Sequence, residues 1–536
     1  MQIRLSPVSA CLAAGLAIVA LIVAAPARSE ETAAPLIQAI HALIDHATAD
    51  PTLEAADTAR LRRFYEARSF APAWVADPTR VAALAAVLAG ASEHGLSFPL
   101  PKLAGADDAQ RDLALTRVAL AYAGALAQGR VQPEHFELDW AIAAPNFDAA
   151  AGLKTALDHG LVAWYASLPP QHAAYRGLVA VLARYRQIAA NGGWVTIGRG
   201  DSLKIGMVDE RVRALRKRLA AEGDLAMPPP PAPAVAAAAN PIQPVAIVEG
   251  DVDSDTVFDA DLESAVRRFQ RRFGIAIDGA VGPRTLAALN VSVRARIEQI
   301  ELNLERWRAL PHDFGASYMM VNVPAEQLDV VNDGTSVITM KVVVGDTEHP
   351  TPVVRSTMTA VTLNPTWNIP ASIVTKELGP KSKRDPSYLV KNEIVISGRG
   401  WQQLPGPKNP LGRIKFESPN KFDVYLHDTP SRIAFDRFFR AQSHGCVRLE
   451  RANELAGYVL QGTGWNGPQT DAAIATGATQ HIDLKRRWRI YLVYATSFVD
   501  DDGTVEFRDD LYGRDAHLRA ALGGQSPPVT QKQARL

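Results

Sequence analysis

The sequence predicts a multidomain α+β protein: a helical N-terminal scaffold, a small helical module after it, and a β-rich C-terminal third interrupted by a helical flap. Three observations carry this reading. Apolar residues recur at three- and four-residue spacing between about 35 and 199, a Pro/Ala-rich stretch breaks the chain at about 226–254, and from about 317 the apolar period becomes two. At 536 residues the chain is long enough for about three folded units. Its 57 basic residues balance 57 acidic ones, so charge gives no reason to expect nucleic acid as a partner. The only cysteines, Cys11 and Cys446, are too few for a disulfide framework or a cysteine-rich zinc site.

Residues 1–27 read as an export signal. Arg4 precedes an apolar run from 8 to 25, and Ala25-Pro26-Ala27 supplies a small-x-small cleavage site. The run, about 18 residues, also sits near the lower limit of a spanning helix, so membrane anchoring by an uncleaved signal is the alternative. Cleavage removes Cys11 and leaves Cys446 as a lone thiol sent into an oxidising compartment.

Residues 35–199 form the helical region, with periodic stretches at 81–88, 113–126 and 178–188 separated by Gly and Pro breaks. Phe64, Tyr65, Trp74, Trp140, Trp164, Tyr175 and Trp194 are spaced as core anchors rather than as a sugar-stacking platform. Residues 201–291 follow. Val212, Leu215 and Leu219 share a helix face, the Pro/Ala stretch intervenes, and a second helix runs through Phe269-Gln270 to a turn at Asp278-Gly279. Gly279 and Gly282 permit tight turns, and Pro283 suits the first turn of the helix that Thr285 continues. Phe269, Gln270, Asp278, Gly279, Gly282 and Thr285 resemble the motif of a three-helix peptidoglycan-binding domain, with the Pro/Ala stretch as an insertion within it. That resemblance implies a glycan partner.

A charged connecting helix spans 292–316. Strand patterns at 318–323, 327–331 and 336–344 come next, with Asn332-Asp333-Gly334 as hairpin chemistry between the last two. This β-rich domain extends to 513, with an inserted flap at 371–400 that contains a helical 372–378, and residues 514–536 read as a polar tail.

Cys446 lies in Ser443-His444-Gly445-Cys446-Val447-Arg448, just before a helix-like stretch at 450–460. A thiol placed where a glycine turn enters a helix has a lowered pKa, and the N–H groups there can hold an oxyanion. Upstream, Val424-Tyr425-Leu426-His427-Asp428 reads as a short strand ending in histidine. If the fold returns the chain, nucleophile and base meet, the minimum for acyl transfer through a thioester. A zinc site on His427, His444 and Cys446 lacks a fourth ligand at regular spacing, and no cofactor is expected.

His427, the Ser443-His444-Gly445-Cys446 element and Arg448 resemble the signature of L,D-transpeptidases of bacterial cell walls. Val343-Val344-Gly345, Pro350-Thr351-Pro352 and the segment from Asn364 to Pro370 resemble the preceding parts of that catalytic domain. The helical N-terminal region is similar to the scaffold of its large multidomain members. The resemblance implies Cys446 as nucleophile and His427 as general base. It implies loop and oxyanion-hole support from Ser443, His444, Gly445 and Asp428, and substrate contacts from Arg448, Trp367, Asn368 and Tyr425. It further implies an exported, cell-wall-associated periplasmic enzyme acting on peptidoglycan stem peptides, beside other cell-wall synthesis proteins, and forming 3-to-3 cross-links with release of terminal D-alanine. The same thioester also suits an L,D-carboxypeptidase, a D-amino acid exchange enzyme or a lipoprotein-anchoring enzyme. A non-catalytic peptidoglycan-binding protein is the alternative of another class.

Overall fold

The structure, a computed structural model, describes residues 33–49, 55–226 and 253–523. The export signal and nearly all of the Pro/Ala insertion lie outside these residues. The described residues divide into two compact units, one of those up to 128 with 146–169, the other of 129–145 with those from 170 on.

The first unit is helical: α1 (Ala33–Ala49), α2 (Ala55–Glu66), α3 (Pro78–Ala89), α4 (Asp108–Gln128), α5 (Ala149–His159) and α6 (Leu161–Ser167). Asp77 and Asp148 cap α3 and α5 by accepting from the first free backbone N–H groups, and Pro78 opens α3 where no N–H is needed. Phe64, Tyr65 and Trp74 are fully buried in the core. Asp112 organises it. Its carboxylate, 0% exposed, accepts from the backbone N–H groups of Ala73, Trp74 and Val75 and from the Tyr65 hydroxyl, so the loop before α3 is pinned onto α4.

The second unit begins with a strand taken from the expected helical region, β1 (Trp140–Ala141), and then α7 (Ala173–Ala190). Three helices follow: α8 (Arg211–Glu222), α9 (Ala260–Arg272) and α10 (Pro283–Leu289). Helix α9 is held to α8 by buried charge, with Arg272 paired to both Asp224 and Glu222 while Glu222 also pairs with Arg218. The connecting helix is α11 (Val293–Ala309).

The remaining strands are β2 (Tyr318–Asn322), β3 (Gln327–Asn332), β4 (Thr335–Gly345), β5 (Val353–Leu363), β6 (Trp367–Asn368), β7 (Ile394–Ser397), β8 (Gly400–Gln403), β9 (Ile414–Glu417), β10 (Leu426–His427), β11 (Ala441–Ser443), β12 (Val447–Leu449), β13 (Gln480–Val493), β14 (Ser497–Val499) and β15 (Val505–Phe507). The large sheet runs β1-β5-β13-β2-β3-β4-β12-β10-β9, and β9 returns to pair with β5. The sheet therefore closes on itself, which removes the exposed edges an open sheet would carry. Helices α12 (Ala371–Ile373), α13 (Gly379–Arg384) and α14 (Tyr388–Lys391), a π-helical turn at Val374–Leu378 and the sheet β6-β8-β7 form the flap around a small core of its own. Helices α15 (Ala452–Val459), α16 (Gly467–Ala475) and α17 (Arg514–Leu522) complete the chain.

Two expectations are corrected. The helical region is not one unit to residue 199, because 129–145 and everything from 170 pack with the C-terminal unit. Residues 514–522 are not a polar tail. They form α17, whose Arg514 is buried between Glu137 and Asp139, so charge that reads as solvated in sequence is internally paired. The flap carries the expected helical segment over 371–378 and adds the β7–β8 hairpin.

Candidate active site

Two short strands build the site. β10 and β12 run parallel with Leu426 opposite Val447 and His427 opposite Arg448. Because side chains alternate across a strand, Tyr425 and His427 share one face, and Cys446 and Arg448 continue that face on the neighbouring strand. Val447 N–H donates to the Tyr425 carbonyl at 3.0 Å, which sets Cys446 beside Tyr425 and diagonal to His427.

The strand β12 also overturns one expectation. Helix α15 starts only at Ala452, so Cys446 is not at a helix N-terminus and gains nothing from its dipole. Burial pushes the thiol pKa up, against the opposing influence of hydrogen bonds from the Tyr425 backbone and hydroxyl and of the Lys415 and Arg448 charges. The sulfur lies 3.8 Å from the Asp423 carbonyl.

His427 is buried, and its Nδ1 is 2.5 Å from the Asp428 carbonyl oxygen. A carbonyl only accepts, so Nδ1 carries the proton and Nε2 keeps its lone pair. Burial, then the Arg448 charge, depresses the imidazole pKa to about 3. The Asp428 side chain is structural, accepting from Arg413 N–H at 2.8 Å and from Arg432 at 2.8 Å.

The nucleophile loop is tied from within. Ser443 Oγ donates to the Cys446 carbonyl at 2.6 Å and accepts from Gly445 N–H at 3.1 Å. Gly445 N–H is thus engaged rather than aimed at substrate, which corrects its expected part in an oxyanion hole. Gly445 has φ +104°, a conformation that favours glycine. His444 turns toward the flap, with Nε2 2.7 Å from Glu377 Oε1.

Arg448 makes no ion pair with Glu450 among the described contacts. Its Nε is buried without a partner, and burial lowers its pKa while the Cys446 charge opposes this. Trp367 and Asn368 belong to the flap. They form β6, pair with Gln403 and Gln402, and Trp367 packs on the flap core. Residues of the expected glycan motif bind one another. Gln270 Nε2 donates to Asp278, Thr285 and the Ala280 carbonyl, while its Oε1 accepts from Gly279 N–H, so these residues build the turn.

Sequence reading missed Lys415, Asp423 and Glu377, and it gave Thr351 no part of its own. Lys415 sits opposite His427 on β9, its Nζ 4.4 Å from the Tyr425 ring centre. Only the alternation of residues 414–417 hinted at it. No helix among the described residues is long and apolar enough to cross a membrane.

Comparison with known proteins agrees with this architecture. The family described as "L,D-transpeptidase catalytic domain" matches residues 316–470, "Scaffold domain" matches 59–182, and "Putative peptidoglycan binding domain" matches 247–289. The chain carries these three domains. A curated relative from Haemophilus influenzae, named "Putative L,D-transpeptidase", is 30% identical over 244 residues, which are 42% of this chain and 49% of the relative. The chain therefore spans about half the length of the curated relative it matches. Among solved structures, an L,D-transpeptidase from Xylanimonas cellulosilytica is 16% identical, covering 55% of this chain and 99% of that one at a TM-score of 0.18. One from Mycobacterium smegmatis is 13% identical, covering 33% and 58% at a TM-score of 0.19.

Proposed function

We propose that the protein is an exported cysteine L,D-transpeptidase that forms 3-to-3 cross-links between peptidoglycan stems in the periplasm. The observation that carries this reading is the β10–β12 register, which supports Cys446 as nucleophile diagonal to a His427 whose Nδ1 is held by the Asp428 carbonyl. In the resting site the thiol pKa is raised and the imidazole pKa depressed, so both groups are neutral and the proton moves only as the carbon is attacked.

Cys446 Sγ bonds to the carbonyl carbon of the third residue of a tetrapeptide donor stem as its proton passes to His427 Nε2. The C–N bond to terminal D-alanine breaks, and the leaving amine takes that proton. The side-chain amine of a neighbouring stem's third residue then attacks the thioester, losing a proton to His427, and the C–S bond breaks to return the thiol. The flap excludes water during the thioester's lifetime, which favours transfer over hydrolysis.

Intact-protein mass spectrometry after incubation with a disaccharide-tetrapeptide, beside Cys446→Ala, tests this. The expected result is an adduct lacking terminal D-alanine, or product joined through two third-position residues, in the unsubstituted protein alone. Cross-linking by Cys446→Ala would sink the assignment.

A further inference from the structure

The peptide unit between Gly445 and Cys446 is held by a residue from a distant loop. Thr351, 0% exposed, donates its hydroxyl to the Gly445 carbonyl at 2.8 Å and accepts from Gly345 N–H at 2.8 Å. Thr351 is fixed in turn. Its N–H donates to the Tyr512 hydroxyl at 3.3 Å, that hydroxyl donates to the Gly345 carbonyl at 2.7 Å, and Arg514 donates to the Thr351 carbonyl at 3.3 Å. Gly345 leaves no alternative packing, since a Cβ there would lie 2.1 Å from the His349 carbonyl oxygen.

A trans peptide is planar, with C=O and N–H pointing in opposite directions. Fixing the Gly445 carbonyl therefore fixes the direction of the Cys446 N–H. Glycine gives this peptide unit little conformational preference of its own, so rotation between two orientations is inexpensive unless something holds it. Ser443 does not, because it binds Gly445 N–H and the Cys446 carbonyl, which belong to the peptide units on either side.

We propose that Thr351 is a positioning residue for the oxyanion: its hydroxyl locks the Gly445–Cys446 peptide so that the Cys446 N–H faces the carbonyl oxygen of a bound acyl donor. This rests on the reading of Cys446 as nucleophile. As Sγ bonds to the acyl carbon, the carbonyl π electrons move to oxygen, and the Cys446 N–H meets that charge. Without the lock the peptide turns its carbonyl toward the same place and repels it.

The test compares two reactions of Cys446 in the full chain. Acylation by p-nitrophenyl acetate passes through an oxyanion, forming the S–C bond and releasing nitrophenolate. Alkylation by iodoacetamide displaces iodide at a tetrahedral carbon and needs no oxyanion. Thr351→Val, nearly isosteric, is expected to slow acylation about 10- to 100-fold and leave alkylation and its pH profile within about twofold, with Thr351→Ser restoring most of the acylation rate. Tyr512→Phe, which loosens Thr351 without touching the loop, should show the same split to a smaller degree, and it serves if the valine variant does not fold. Unchanged acylation, a parallel loss of both reactions, or failure of serine to restore the rate would overturn the proposal. Failure of the nucleophile reading shows separately, as absence of any acylation in the unsubstituted protein, and it would overturn this proposal with it.

Discussion

His444 Nε2 lies 2.7 Å from Glu377 Oε1, a hydrogen bond that joins the nucleophile loop to the flap across 67 residues of sequence. The other face of His444 meets His349, with ring centres 4.6 Å apart, and His349 Nδ1 is 3.0 Å from Asp346. Both His444 and Glu377 are a little over one-third exposed, so the pair is a weak latch that solvent can open. Glu377→Ala is expected to accelerate amide hydrogen exchange across 371–400 while strands β2 to β5 keep their protection. Unchanged flap exchange would mean that the latch does not hold the flap.

The thiol should behave as a raised one. Alkylation of Cys446 is expected to climb with pH to a midpoint above the usual thiol value, because burial disfavours thiolate. Lys415→Met removes a favourable positive charge and should move the midpoint higher still. A midpoint below that of a free cysteine would contradict the environment described for Sγ.

His427 gives stability an acid limb of known sign. Its folded pKa is about 3, against roughly 6.5 in an unfolded chain, so between these values the unfolded chain binds more protons. Stability is fully present above about pH 6.5 and falls as pH drops toward 3. Unfolding free energies from urea titrations at pH 7.5 and 4.5 should differ, and His427→Gln should shrink the difference by about 2 kcal/mol. An undiminished difference would mean that His427 is protonated in the fold.

In the helical unit, Asp112→Ala should be strongly destabilising. It leaves the N–H groups of Ala73, Trp74 and Val75 and the Tyr65 hydroxyl without their carboxylate, a loss of about 3 kcal/mol or more. Thermal unfolding with hydrogen exchange resolved along the chain should place the loss in 55–128. A variant as stable as the parent would show that water replaces the carboxylate.

Local signals were legible in the sequence. Asn332-Asp333-Gly334 announced the β3–β4 hairpin, and Asp333 and Gly334 both take positive φ there, at 49° and 78°. His427 and Cys446 stood out by residue type and spacing, and the register between their strands brings them onto one face. The parts played by Thr351, Tyr512 and Lys415 could not be read, because each is defined by a partner on another strand or loop that only the folded chain places beside it. Helix α17 was hidden for a different reason. Its Arg514 and Asp515 are buried in ion pairs, and one sequence segment cannot reveal that its charges are matched elsewhere. Cys446 was misjudged because a three-residue strand separates it from the next helix, a boundary that periodicity does not resolve.

The excursion at 129–145 makes the two units inseparable by any single cut. A fragment beginning at residue 170 would lose β1, the Asp139 carbonyl that receives Val353 N–H, and both carboxylates beside Arg514, leaving a buried guanidinium without its counterions. Asp139 and Arg514 stand 375 residues apart in sequence, so during vectorial synthesis the strand is made long before the helix that completes it. Such long-range closure belongs to the slow end of folding. The segment 129–145 is therefore expected to be secured only when α17 is delivered, and chains stopped short of α17 should remain open to proteolysis there.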